Sequence, residues 1–138
     1  MMGKTSFQIQ NDIETEPLFS VLAAGDNPGV TAVLLPDDRI GDPAEHGTEL
    51  LLAFLNGLCD RSTMPDLILM YGRGVLLCEE EHPAFPILSR LSDLDIVMKV
   101  CEESLTVYNK KPAVSKIQPV PMNEITQDIL KADRIIRP

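Results

Sequence analysis

Apolar positions are irregular over the first 29 residues and become ordered after Gly29. Val30–Leu35 is a continuous apolar run around Thr31, closed by Pro36 and the acidic pair Asp37-Asp38, which predicts a buried strand. Ala44–Cys59 spreads Leu50, Leu51, Leu52, Phe54, Leu55 and Leu58 over a wide face and predicts a mostly buried helix. Gly57 weakens its last turn, and the polar stretch at 60–63 closes it. Asp66–Tyr71 predicts a second buried strand. Gly72 and Gly74 follow at once, and Val75–Leu77 is expected to continue extended. Phe85–Leu94 sets Ile87, Leu88, Leu91 and Leu94 at helical spacing, with Pro83 and Pro86 where a first turn tolerates them. Asp95–Cys101 predicts a third strand, Glu102–Asn109 a short helix or turn, and Ile117–Val120 a fourth strand. Asn123–Ala132 predicts a helix with Ile125, Ile129 and Leu130 on one face, and Arg134–Arg137 a terminal strand.

Strands that alternate with helices imply right-handed crossovers and a mainly parallel sheet covered on both faces. The expected unit is therefore an α/β domain over residues 30–138. Residues 1–29 read as an irregular N-terminal extension with one short apolar patch, Leu18–Ala24. In an open α/β sheet the ligand crevice lies at the carboxyl ends of the strands. Four segments fall there: the loop around Gly41, the turn Tyr71-Gly72-Arg73-Gly74, Cys101 with its followers, and Pro121–Glu124.

Composition narrows the partners. The chain has 138 residues, 44% hydrophobic and 24% charged, which suits one globular domain. Twelve Lys and Arg against 21 Asp and Glu leave a net charge of −9, which disfavours a phosphate backbone as partner. With no tryptophan and 4% aromatics, base-stacking platforms are not expected either. No run approaches the ~20 apolar residues of a membrane span. Three cysteines, Cys59, Cys78 and Cys101, do not make a secreted disulfide framework, and no signal peptide is visible, so reduced thiols and a cytoplasmic location are expected.

Most local motifs carry little. Gly3-Lys4-Thr5-Ser6 imitates the end of a phosphate-binding loop but lacks the strand and glycine that must precede it. Gly72-Arg73-Gly74 reads as a tight turn after a strand. Cys78 and His82 are four apart, but the run Glu79-Glu80-Glu81 and Pro83 predict a solvated loop, and no CxxC or HxxxH pair occurs. No structural metal and no cofactor is expected. Cys59 reads as a small core residue and His46 as a partly exposed one. Cys101 differs, because it stands where the third strand ends. The N–H groups of a following helix favour a thiolate there, whereas Glu102 and Glu103 oppose it. An accessible thiolate at this rim is a nucleophile.

Residues from about Val30 to Pro138 resemble the DsrE/DsrF-like family, and within it the C-terminal domain of YedF-type sulfurtransferase-like proteins of selenium metabolism. The resemblance rests on several stretches. Asp38-Arg39-Ile40-Gly41 with Glu45-His46-Gly47 resembles the family's opening loop. Ala53-Phe54 with Leu58 resembles its first helix, and Pro65-Asp66-Leu67-Ile68 with Gly74-Val75-Leu76-Leu77 its second strand and turn. Cys101-Glu102-Glu103-Ser104-Leu105, with Tyr108, is similar to the Cys-Gly-Thr-Cys-Leu signature. Met122-Asn123-Glu124-Ile125 resembles an Asn-Met-Tyr-Glu-Ile stretch, and 132–138 the family's ending.

The resemblance implies a three-layer α/β/α domain with a five-stranded mainly parallel sheet, a homo-oligomer, and sulfur carried as a persulfide on Cys101. Gly41, Tyr71, Gly72 and Ser104 are the expected binding residues. Ser104 replaces the second signature cysteine, which excludes a two-thiol cycle within the motif. Glu102 replaces a glycine and adds bulk and charge. Residues 1–29 are too short for the small sulfur-carrier domain that usually precedes this one, so a separate carrier protein is the expected partner. Two functions follow: a sulfurtransferase-like carrier of sulfane sulfur or selenium on an uncovered Cys101, with the Ser104 hydroxyl donating to the thiolate, or a non-catalytic oligomeric module that binds a partner loop or small ligand.

Overall fold

The computed structural model describes residues 29–41, 44–60, 62 and 64–138. The extension expected over the first 29 residues, with its apolar patch and the Gly3-Lys4-Thr5-Ser6 sequence, lies outside the described residues except for Gly29.

Five strands alternate with four helices: β1 (Thr31–Leu35), α1 (Ala44–Gly57), β2 (Leu67–Met70), α2 (Phe85–Ser92), β3 (Val97–Cys101), α3 (Glu102–Tyr108), β4 (Ile117–Val120), α4 (Met122–Lys131) and β5 (Arg134–Ile136). The sheet order is β4-β3-β2-β1-β5 and every pairing is parallel. The α/β/α architecture expected above is the one found, with boundaries shifted by a few residues at most.

One expectation fails. Val75–Leu77 does not continue the strand; Gly72–Cys78 forms a 3-10 helix. Gly72 adopts φ +57°, which turns the chain as β2 ends. Gly74 then lies so close to β1 that a Cβ there would overlap the Leu35 carbonyl. The segment folds over the end of β1 and drives Val75 and Leu77 into the core, where both are fully buried.

Strand alternation divides the core into two faces. Val33, Leu35, Ile68, Met70, Met98 and Val100 point to one face, against Leu51 and Leu55 of α1, Leu88 and Leu91 of α2, and Leu105 of α3. Ala32, Leu34, Leu69 and Cys101 point to the other, against Val120 and Ile125, with Ile129 of α4 packed on them. Right-handed crossovers explain the division. The steps from β1 to β4 all run one way and put their helices on one face, and the return from β4 to β5 puts α4 on the other. Burying a leucine fully is worth about 1.5–3 kcal/mol, so the three-helix face holds most of the hydrophobic stabilisation.

The thinner face has a polar clamp instead. Lys99 of β3 is little exposed, and its Nζ lies 2.7 Å from Asp128 Oδ2 and 2.9 Å from Glu124 Oε2, both on α4. The bonds from Asp128 and then Glu124 hold its ammonium above the usual lysine value. Two charged bonds thus fix α4, the helix that covers this side among the described residues.

Candidate functional site

The carboxyl ends of β2 and β3 and the starts of α3 and α4 meet at one corner of the sheet. Cys101 ends β3 and is the N-cap of α3, with extended backbone (φ −70°, ψ 120°). Its Sγ accepts the backbone N–H of Ser104 at 3.4 Å, so the sulfur fills the place a capping oxygen usually takes. The thiol also donates to Glu103 Oε1 at 3.4 Å. That same carboxylate oxygen accepts the backbone N–H of Met122 at 2.9 Å, the first residue of α4. Glu103 therefore bridges the start of α3, the sulfur and the start of α4. Backbone hydrogen bonds, first its own and then that of Met122, followed by the Cys101 thiol, hold its carboxyl below the usual glutamate value.

This geometry corrects two expectations. Cys101 is not uncovered at the rim: it is 3% exposed, packed with Leu69, Val120 and Ile125 under α4. It lies on the face that alternation assigns to α4, and the α4 N-terminus with Glu103 closes over it. The Ser104 hydroxyl does not donate to the sulfur either. It accepts the Gly72 N–H at 2.9 Å, and the backbone N–H of Ser104 makes the sulfur contact. Ser104 thus contacts the Cys101 sulfur through its backbone, and Gly72 contacts the Ser104 hydroxyl. Tyr71 packs against the same apolar cluster as Cys101. Gly41 is elsewhere, in a cleft between the ends of β1 and β5.

The other thiols are placed differently. Cys78 is fully buried rather than on a solvated loop; its thiol donates to Met70 Sδ at 3.6 Å, and burial pushes it up to about 12. Cys59 is half-buried against the three-helix core, with Arg90 Nη1 3.5 Å from its sulfur. His46 is exposed. Among the described residues, no group of three or more His, Cys, Asp or Glu is placed to hold a metal ion, and no helix is long and apolar enough to cross a membrane.

A second polar cluster, not anticipated, stands beside the β1 end. Asp38 is buried, with Oδ1 3.2 Å from Arg73 Nη2 and Oδ2 3.4 Å from His82 Nε2. Ala84 donates its N–H to His82 Nδ1 at 3.0 Å, which assigns the neutral ring's proton to Nε2 and makes it the donor to Asp38. Both ring nitrogens are occupied, so His82 braces two loops and is no free base. Burial opposes ionisation of Asp38, but hydrogen bonding with Asp37, the Arg73 charge, and bonds from Arg73 and His82 outweigh it. Its carboxyl lies below the usual aspartate value. In the sequence, Asp37-Asp38 reads as a strand terminator, with Asp38 at the start of the opening-loop resemblance, and neither reading predicts an ion pair. An acidic pair at the carboxyl end of a buried strand, with Arg73 in the next such loop, was the available signal.

No family model and no curated protein matches this chain. Solved structures share its fold. ychN from E. coli matches with a TM-score of 0.59 at 14% identity, over 79% of this chain and 98% of that one. The protein of unknown function MTH1491 from Methanobacterium thermoautotrophicum matches with a TM-score of 0.59 at 17% identity, over 79% and 99%. BT1422 from Bacteroides thetaiotaomicron, a conserved protein of unknown function, matches with a TM-score of 0.55 at 13% identity, over 78% and 94%. At these identities the likeness is one of fold, a five-stranded parallel sheet with helices on it.

Proposed function

We propose that the protein carries sulfane sulfur, or selenium, as a persulfide on Cys101, and that Glu103 is the cover that swings aside to admit the donor. The observation behind this reading is the position of the sulfur, which caps α3 at the carboxyl end of β3 with a backbone N–H directed at it. In the transfer step the Cys101 proton leaves to solvent. The thiolate attacks the terminal sulfur of a donor persulfide, a new S–S bond forms on Cys101, and the donor's S–S bond breaks to release its thiolate. No net oxidation occurs. Ser104 N–H stays on the inner sulfur, while Gly72 holds the Ser104 side chain in place through its own N–H. A small separate carrier protein is the donor or acceptor this chemistry calls for, and a homo-oligomer is the expected assembly.

A second reading is favoured by one observation: Cys101 is 3% exposed. A thiol kept covered suits a non-catalytic module that retains the fold for a partner or small ligand. Incubation with a persulfide donor followed by peptide-resolved mass spectrometry separates the two. The carrier reading expects +32 Da on Cys101, the mass of one sulfur atom, and faster loading when Glu103 is replaced. Modification confined to Cys59, with Cys101 unchanged even in Glu103→Ala, would leave the module reading in place.

A further inference from the structure

The strand order reverses between β1 and β5: β2, β3 and β4 lie on one side of β1, and β5 on the other. Such a reversal opens a crevice at the carboxyl ends of the strands, because the chain segments there diverge. A cleft of about 320 Å³ stands at this point, away from the residues that contact the Cys101 sulfur. Leu35, Ile40 and Leu51 give it an apolar floor, and Arg39 and Arg137 stand on its lining. At Gly41 on its wall, nothing lies within 4 Å of where a Cβ would stand.

The charges are unevenly satisfied. Asp37, which also lines the cleft, has its Oδ1 engaged by the Asp38 N–H at 2.7 Å and Arg73 Nε at 3.3 Å. Asp38 is held by Arg73 and His82. Arg39 Nε is buried and has no hydrogen-bond partner; its nearest charge is Asp38 Oδ1 at 3.5 Å. Arg137 is exposed and makes no hydrogen bond or ion pair among the described residues. Two arginines thus line the cleft, Arg39 within ion-pair distance of Asp38 and the Arg137 side chain without a partner among the described residues. A guanidinium fork matches a carboxylate, and an apolar floor adds affinity only for a ligand with a carbon body.

We propose that this cleft binds a small organic acid, its carboxylate between Arg39 and Arg137 and its apolar body on Leu35, Ile40 and Leu51. The volume is at the lower end for ligand sites, which fits an acid of benzoate size rather than a nucleotide. The proposal is independent of Cys101.

The test is a titration of the full-length chain with sodium benzoate at fixed ionic strength, followed by amide shifts in ¹H–¹⁵N spectra, with inorganic phosphate as the second probe. The expected result is saturable shifts confined to residues 35–41 and 136–137. Affinity should weaken at least fivefold in Arg137→Gln, whose side chain holds no structural contact, and stay unchanged in Cys101→Ser. Phosphate should give no saturable shift at the same concentrations. The proposal is overturned by the absence of saturable benzoate shifts, by equal affinity in Arg137→Gln, by phosphate binding as well as benzoate, or by shifts centred on residues 101–104.

Discussion

Replacing Glu103 by Gln separates charge from cover at the sulfur. Gln keeps an oxygen for the Met122 N–H, so the bridge between α3 and α4 survives while the negative charge is lost. That charge sits 3.4 Å from Sγ, on an exposed residue whose surroundings are close to water. In a water-like dielectric, a unit charge at this distance changes a neighbouring ionisation equilibrium about eightfold. The separation is well inside a Debye length, so salt screens it weakly. A carboxylate opposes the build-up of negative charge on the neighbouring sulfur, so its removal should speed alkylation of Cys101, by at most about eightfold. Glu103→Ala loses the charge and the cover together and should react faster still. The assay is iodoacetamide labelling read peptide by peptide, because Cys59 is half-buried and reacts in parallel. Cys78, raised to about 12 by burial, is an internal unreactive control. Identical Cys101 labelling rates in wild type, Gln and Ala across the pH range would refute the idea that Glu103 restrains the sulfur.

Two further outcomes test the frame around the site. Gly74→Ala should cost at least about 2 kcal/mol in urea unfolding, since the added Cβ meets the Leu35 carbonyl and a packed backbone yields poorly. Gly72→Ala, where the nearest atom is the Pro36 carbonyl oxygen at 3.1 Å, should cost less despite its positive φ, and a reversed order would contradict the close approach. Asp38→Asn should be less stable than wild type at neutral pH. Because the folded carboxyl of Asp38 lies below its ordinary 3.8, its stabilisation is complete above that value and is lost as pH falls through the lowered one. The stability gap between wild type and Asp38→Asn should therefore be constant from pH 7 to about 5 and close below about 4. A gap that persists at pH 2 would show that the Arg73 and His82 contacts do not depend on the charge.

The fold was legible because each strand is a short apolar run closed by a turn residue, and each helix carries its apolar residues at helical spacing. These signals are local. The 3-10 segment was not legible, since Val75 and Leu77 alternate like a strand. What bends the chain there is the approach of Gly74 to the end of β1, a contact between residues nearly forty positions apart. The Asp38 cluster was hidden for the same reason. Asp37-Asp38 follow β1, whereas Arg73 and His82 belong to the connection between β2 and α2, and the parallel pairing of β1 and β2 brings them together.

The cover over Cys101 was within reach of the pattern but needed two steps in combination. Parity along β3 puts residues 97, 99 and 101 on one face, and the reversal of strand order puts a single helix there. Lys99 already signals that face, because a lysine in the middle of a buried strand requires acidic partners, and Glu124 and Asp128 stand one turn apart on the last helix. A strand-end position is therefore no guarantee of an open thiol when the same residue has the parity of the covered face. Among the described residues the cover is thin: one helix start and one glutamate, against three helices on the opposite side. Release of the Met122 N–H by Glu103 is the first step that exposing the sulfur requires, and it breaks neither bond of the Lys99 clamp.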